Sequence, residues 1–147
     1  WSPDGSRVAY SQFDHAANFD KHQGVSVIYT VDANTSGVPQ SQPLPARSGK
    51  LEITDGWPDW SPDGSKVVFT SNTEENNFDL YMVDADGTNL RQLTDLPGDE
   101  YAPAWSPDGK SIAFYHYERE APRGEQRSAK IVHPEDKSVR TVFKEWQ

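Results

Sequence analysis

Trp60-Ser61-Pro62-Asp63-Gly64 is one of three copies of the same pentapeptide, the others being Trp1 to Gly5 and Trp105 to Gly109. Each residue type has its own task in a chain reversal. Pro3, Pro62 and Pro107 fix φ near the value that the first central position of a type I turn needs, and Asp4, Asp63 and Asp108 can hydrogen-bond the neighbouring backbone. Gly5, Gly64 and Gly109 take the following position, where φ is positive, so the turn with its glycine bulge reverses a strand cleanly. Trp1, Trp60 and Trp105 close the strand before the turn. The apolar triplets Val8-Ala9-Tyr10, Val67-Val68-Phe69 and Ile112-Ala113-Phe114 begin the strand after it. One such turn is commonplace, whereas three copies with the same leading Trp mark a structural repeat.

From Trp60 to Trp105 the spacing is 45 residues, and from Trp1 to Trp60 it is 59 because of added loop length. Propeller blades of four strands recur at about 40 to 45 residues. The spacing therefore predicts an all-β protein of three consecutive four-stranded antiparallel propeller blades, repeats 1–59, 60–104 and 105–147, in a single partial propeller domain. The middle repeat is the cleanest. Its inner strand ends at Trp60, its second strand is Lys66 to Thr70, its third is Leu80 to Val83 and its outer strand is Leu90 to Thr94, and the next inner strand is Tyr101 to Trp105. The turn Asp84-Ala85-Asp86-Gly87 again puts Gly in the positive-φ place.

The first repeat has the same plan, with strands at Val8 to Ser11 and Val27 to Val31, then a long turn and a weak outer strand within the Ser-, Pro- and Gly-rich residues 35–50. The third has strands at Ile112 to Tyr117, near Ala129 to Val132, and at Ser138 to Phe143. Its turn His133-Pro134-Glu135-Asp136 puts Asp136 where Gly87 stands. The second strands are apolar on both sides, as strands covered on both faces are.

Composition narrows the partners. The 147 residues carry 14 Lys and Arg against 23 Asp and Glu, a formal charge of −9, with a hydrophobic fraction of 34%. Mean hydropathy is −0.84. An acidic surface repels nucleic acid and anionic lipid. With no Cys there is no disulfide framework or thiolate site, and no apolar run approaches a membrane-spanning length. The sequence opens on Trp1 in place of Met, at a point where a strand should end, which suggests a piece of a longer protein. The uncovered sides of its first and last blades would favour self-association of the isolated segment.

These features resemble the WD40-like PD40 repeat of the TolB-like β-propeller family. The resemblance rests on W-S-P-D-G, on the apolar second strand, on Leu80-Tyr81-Met82-Val83-Asp84-Ala85-Asp86-Gly87 and on Arg91-Gln92-Leu93-Thr94. It implies a larger, about six-bladed ring and a bacterial envelope setting, periplasmic or otherwise exported. It also implies a non-catalytic module that binds a protein partner, an envelope lipoprotein or peptide. The same repeat forms the N-terminal propeller of prolyl-oligopeptidase-like serine peptidases, so the alternative is a propeller that gates a catalytic domain elsewhere in the protein.

Within the sequence the two sets of loops differ. The W-S-P-D-G and D-A-D-G turns are short and nearly the same in each copy, whereas the loops at the other end vary, and variable loops on a fixed scaffold are where recognition is expected. That end includes His15, Phe19 and His22 in the first long loop, Trp57 and Tyr101 beside the loops that enter the inner strands, and His116, Tyr117 and Arg119 in the third repeat. Aromatic and Arg side chains are frequent interface anchors. Asp14, His15, Asp20 and His22 match no metal-ligand spacing, so a solvated loop is the preferred reading and no metal or cofactor is assigned. Ser2, Ser61 and Ser106 recur with the turn, as structural residues do. No G-x-S-x-G, H-E-x-x-H, P-loop or G-x-G-x-x-G is present, so no catalytic residue is assigned.

Overall fold

A computed structural model describes residues 1–14, 25–34, 42–43, 54–72, 77–123 and 125–144. Among these residues every regular element is a strand, and the strands form three antiparallel sheets. In the first sheet β1 (Arg7–Asp14) pairs with β2 (Val25–Asp32), and β2 with the short β3 (Gln42–Pro43). In the second, β4 (Asp55–Trp60), β5 (Lys66–Asn72), β6 (Phe78–Asp84) and β7 (Arg91–Gln92) pair in sequence order. The third repeats that order with β8 (Asp99–Trp105), β9 (Ile112–Tyr117), β10 (Arg127–Val132) and β11 (Val139–Lys144). Sequential antiparallel strands of this kind are propeller blades. Each four-stranded sheet starts ahead of its Trp, because the strand that Trp closes pairs with the strand that follows the turn.

Period-two alternation sends the side chains of β5 and β6 to opposite faces, and both faces are covered. Val67, Phe69, Tyr81 and Val83 pack with Trp60 against Ile28 of the first sheet. Val68, Leu80 and Met82 pack with Leu93 against Ile112, Phe114 and Val132 of the third. The continuous apolar run of β5 thus fills two cores. In β9 only alternate residues are buried, with Ala113 and Tyr115 exposed. Polar bonds also cross between sheets: the Trp105 amide donates to Asp59 Oδ2 at 2.8 Å, and Arg7 Cζ lies 4.6 Å from the centre of the Trp60 ring.

One turn departs from expectation. The positive φ in the last hairpin belongs to Lys137, at 58°, and not to Asp136. The reason is turn length. Gly87 closes its turn onto Asp84 O, three residues back, whereas Lys137 closes onto His133 O, four back. Asp136 takes the part of Asp86, each accepting from the amide two residues on, that of Ser138 or Thr88.

Candidate functional site

The two ends of the sheets are built differently. At one end each W-S-P-D-G turn is closed by the same bonds. In the middle copy the Gly64 amide donates to Ser61 O at 2.9 Å. Ser61 Oγ donates to Asp63 Oδ1 at 2.6 Å and accepts the Lys66 amide at 2.9 Å. Ser2 with Asp4 and Ser106 with Asp108 repeat the arrangement. The recurring serines are therefore consumed in turn geometry, and Gly5, Gly64 and Gly109 sit at φ of 70°, 71° and 69°. The second family of hairpin turns joins the same end, since the amides of Ala33 and Ala85 donate to the carbonyls of Ser6 and Ser65.

At the opposite end, the loop between β7 and β8 is clamped onto β9. His116 Nε2 donates to the Pro97 carbonyl at 2.8 Å, which fixes the proton on Nε2. Its Nδ1 faces Ser128 Oγ at 3.4 Å. Burial holds the His116 imidazole below its usual pKa, so it is a neutral strut. Beside it the carboxylate of Asp99 accepts from Arg119 Nε at 3.1 Å and Nη2 at 2.8 Å, both on Oδ2. Its Oδ1 takes the Phe78 amide at 3.3 Å. Arg119 is itself positioned by its carbonyl, which accepts from Gln126 Nε2 at 3.2 Å.

Around this ion pair lie aromatic rings. Tyr101 is 5.3 Å from Trp57 in an edge contact and 5.4 Å from Phe78, centre to centre. Tyr115 faces Tyr101 across the β8–β9 ladder. The inner strands bulge at this level, where the register shifts between Gly56 and Asp59 and between Tyr101 and Ala104. The bulges hold Trp57 at φ 51° and Ala102 at φ 50°. A bulky residue with positive φ is costly, and such strain collects where a side chain must be aimed. Trp57 is 51% exposed and Tyr115 39%. A half-exposed indole in edge contact with a tyrosine beside an anchored guanidinium is what a docking surface is built from.

The model of the PD40 TolB β-propeller domain matches residues 1–122. The chain belongs to the TolB β-propeller domain family. Among curated relatives, an uncharacterized peptidase of Bacillus subtilis, YuxL, is 37% identical over 112 residues, which is 76% of this chain and 16% of that protein. A TolB homolog of Chlorobium luteolum is 31% identical over 77% of this chain and 22% of its own length. A solved TolB structure from Agrobacterium tumefaciens superposes with a TM-score of 0.76 at 25% identity, over 97% of this chain and 47% of that one. The chain thus spans less than half the length of each of these relatives.

On this PD40 propeller the expected loop residues separate. Trp57 and Tyr101 do meet, and Arg119 joins them through Asp99. Tyr117 is half-buried and lends its backbone to the clamp. His116 is only 3% exposed, so it is not a surface anchor; alternation along β9 turns it toward the second sheet with Ile112 and Phe114. His15, Phe19 and His22 lie outside the described residues, as does Asp20. Among the described residues, no group of three or more His, Cys, Asp and Glu side chains is placed to hold a metal ion.

Phe78 and Asp99 belong to this candidate site although the sequence did not single them out. A signal for Asp99 was available: Asp99 and Glu100 are adjacent carboxyls opening a strand, whose alternation turns one to each face, and an acidic residue that a strand buries needs a cation or donors. Glu100, next to it, is buried with Oε2 accepting from the Thr94 hydroxyl and from the Leu80 amide at 3.2 Å. Desolvation, opposed by the Thr94 hydrogen bond and aided by nearby Asp79, pushes its pKa up to about 7. It ties β8 to β6 across the two sheets.

Proposed function

We propose that this protein is a protein-binding propeller module of the bacterial envelope, and that it docks its partner on the loop end bearing Trp57, Tyr101, Tyr115 and Arg119. The observation that carries this reading is the exposed Trp57 ring, held at positive φ against Tyr101. The TolB relatives support a binding role, and the acidic charge favours a protein or peptide over nucleic acid. The test is partner capture by the intact protein with two sets of substitutions. Changing Trp57 and Tyr115 to Ala should abolish capture, while changing Ser65, Thr88 and Lys110 at the turn end should leave it intact. Loss only with the turn-end set moves the site to the W-S-P-D-G face.

The identity to the Bacillus peptidase over 76% of this chain favours a second reading, in which the propeller serves a serine peptidase domain. Labelling of the full-length protein by a fluorophosphonate probe would support that reading, and absence of labelling would oppose it.

A further inference from the structure

The guanidinium of Arg119 has five N–H donors in a planar fork. Nε and one hydrogen of Nη2 are spent on Asp99 Oδ2. No hydrogen bond to Nη1 is found among the described residues, and the side chain is 57% exposed while that of Asp99 is 3% exposed. The Arg is thus pinned from behind by a buried carboxylate and from its own backbone by Gln126, leaving an open edge toward solvent. Holding a charged group in place before binding lowers the ordering cost of a complex. The ion pair is linked to the aromatic strip through Tyr101, which follows Asp99 by two residues on the same face of β8, interacts electrostatically with Asp99 and Arg119, and meets Trp57 and Phe78 ring to ring.

We infer that this site recognises a single carboxylate set beside an apolar side chain on a peptide segment, the carboxylate on the free edge of Arg119 and the apolar group against Trp57 and Tyr101. The inference deepens the docking reading above and rests on it. A guanidinium edge matches a carboxylate with two parallel hydrogen bonds, a match that an ammonium cannot make. Charge sets the limit on the ligand. Glu118 and Glu120 flank Arg119 in sequence, and the formal charge of the whole sequence is −9. A polyanion is therefore repelled, and one carboxylate on an otherwise uncharged or basic segment is accepted. The carboxylate has two sources, the free C-terminus of a peptide or an Asp or Glu side chain.

The test uses three arrays of random heptapeptides: free C-termini without Asp or Glu, the same sequences amidated, and amidated peptides containing one Asp or Glu. The intact protein should bind the first or third array at least 10-fold better than the second, with aromatic or aliphatic residues enriched beside the carboxylate. The first alone points to a C-terminus, the third to a side chain. Arg119→Lys keeps a cation for Asp99 but loses the paired bonds, and should cut the preference at least 5-fold while the protein stays folded with a small fall in melting temperature. Trp57→Ala should weaken binding to every array, and Lys110→Met at the other end should change nothing. Equal binding of acid and uncharged amide arrays would overturn the carboxylate assignment while leaving the docking surface standing. Failure to bind any array would overturn it too. Partner capture that still depended on Trp57 would show that the docking reading had survived.

Discussion

Gly98 lies against the backbone of Tyr117 so closely that a Cβ on it would be driven into the Tyr117 carbonyl oxygen and stand 2.9 Å from Glu118 Cα. Its φ of 104° is a second obstacle to any side chain. Because both obstructing groups are backbone, no rotamer change relieves the clash, and the β7–β8 loop must lift away from β9. That would loosen the Pro97–His116 bond and shift Asp99 from Arg119. Gly98→Ala should therefore destabilise by about 2 to 4 kcal/mol and weaken partner binding as well. A change below about 0.5 kcal/mol in denaturant titration would show that the clamp is not as tight as its geometry.

The three repeated tryptophans should respond unequally. Trp60 is 4% exposed and sits in the core between the first and second sheets, beneath Arg7. Trp105 is partly buried against the next core. Trp1 is 74% exposed. Truncating a buried Trp costs roughly 3 to 5 kcal/mol, so Trp60→Ala should approach that range, Trp105→Ala should cost less, and Trp1→Ala should be near neutral. Equal losses at Trp1 and Trp60 in urea titrations would contradict this order.

Lys137 holds a left-handed conformation that a glycine adopts without steric penalty, as Gly87 does in the shorter turn. The hydrogen bond its amide donates to His133 O and the Asp136–Ser138 hydrogen bonds do not use the Lys side chain. Lys137→Gly should accordingly stabilise by up to about 1 kcal/mol, the relief of left-handed strain being partly offset by the freer unfolded state. A lowered melting temperature for this variant would mean that the lysine has a role in the fold beyond its backbone.

What the sequence made legible was periodic or local. W-S-P-D-G carries its own hydrogen bonds, so the positions of Ser61, Asp63 and Gly64 could be read from five residues. The continuous apolar run Val67-Val68-Phe69 showed that β5 is covered on both faces. The site was less legible because its contacts join distant segments. Trp57 meets Tyr101 across two sheets, and Arg119 finds Asp99 20 residues back in the sequence. His116 misled because a polar residue in a Tyr-His-Tyr run looks like surface, whereas the register of β9 buries it. The last turn is hidden in the sequence because equal residue counts align Asp136 with Gly87, whereas the turn is one residue longer and its positive φ falls on Lys137.

Acid and base should act on different parts of the molecule. Serine hydroxyls, then backbone amides, hold the carboxyls of Asp4 and Asp63 down to about 2, and Asp108 and Asp136 are lowered by similar bonds. A carboxylate whose pKa is lowered by folding adds stability above its ordinary value, and that stability is lost as pH falls through the folded value. The turns should thus weaken from about pH 4 to about pH 2, and Asp63→Asn should make that limb shallower. Glu100 has the opposite sign. Its raised pKa means that its contribution is complete below its ordinary value of 4.5 and is lost as pH rises through about 7. Neutral His116 runs counter to it, adding stability as pH rises toward 6.5. The Glu100 effect is therefore read as a difference from Glu100→Gln, which keeps an acceptor for Leu80 and Thr94 but does not ionise. Relative to the parent, that variant should gain stability between pH 4.5 and pH 8, by at most about 3 kcal/mol, and the gap should be constant above pH 8. Parallel curves for the two proteins across that range in urea titrations would show that Glu100 titrates normally and that its burial imposes no cost.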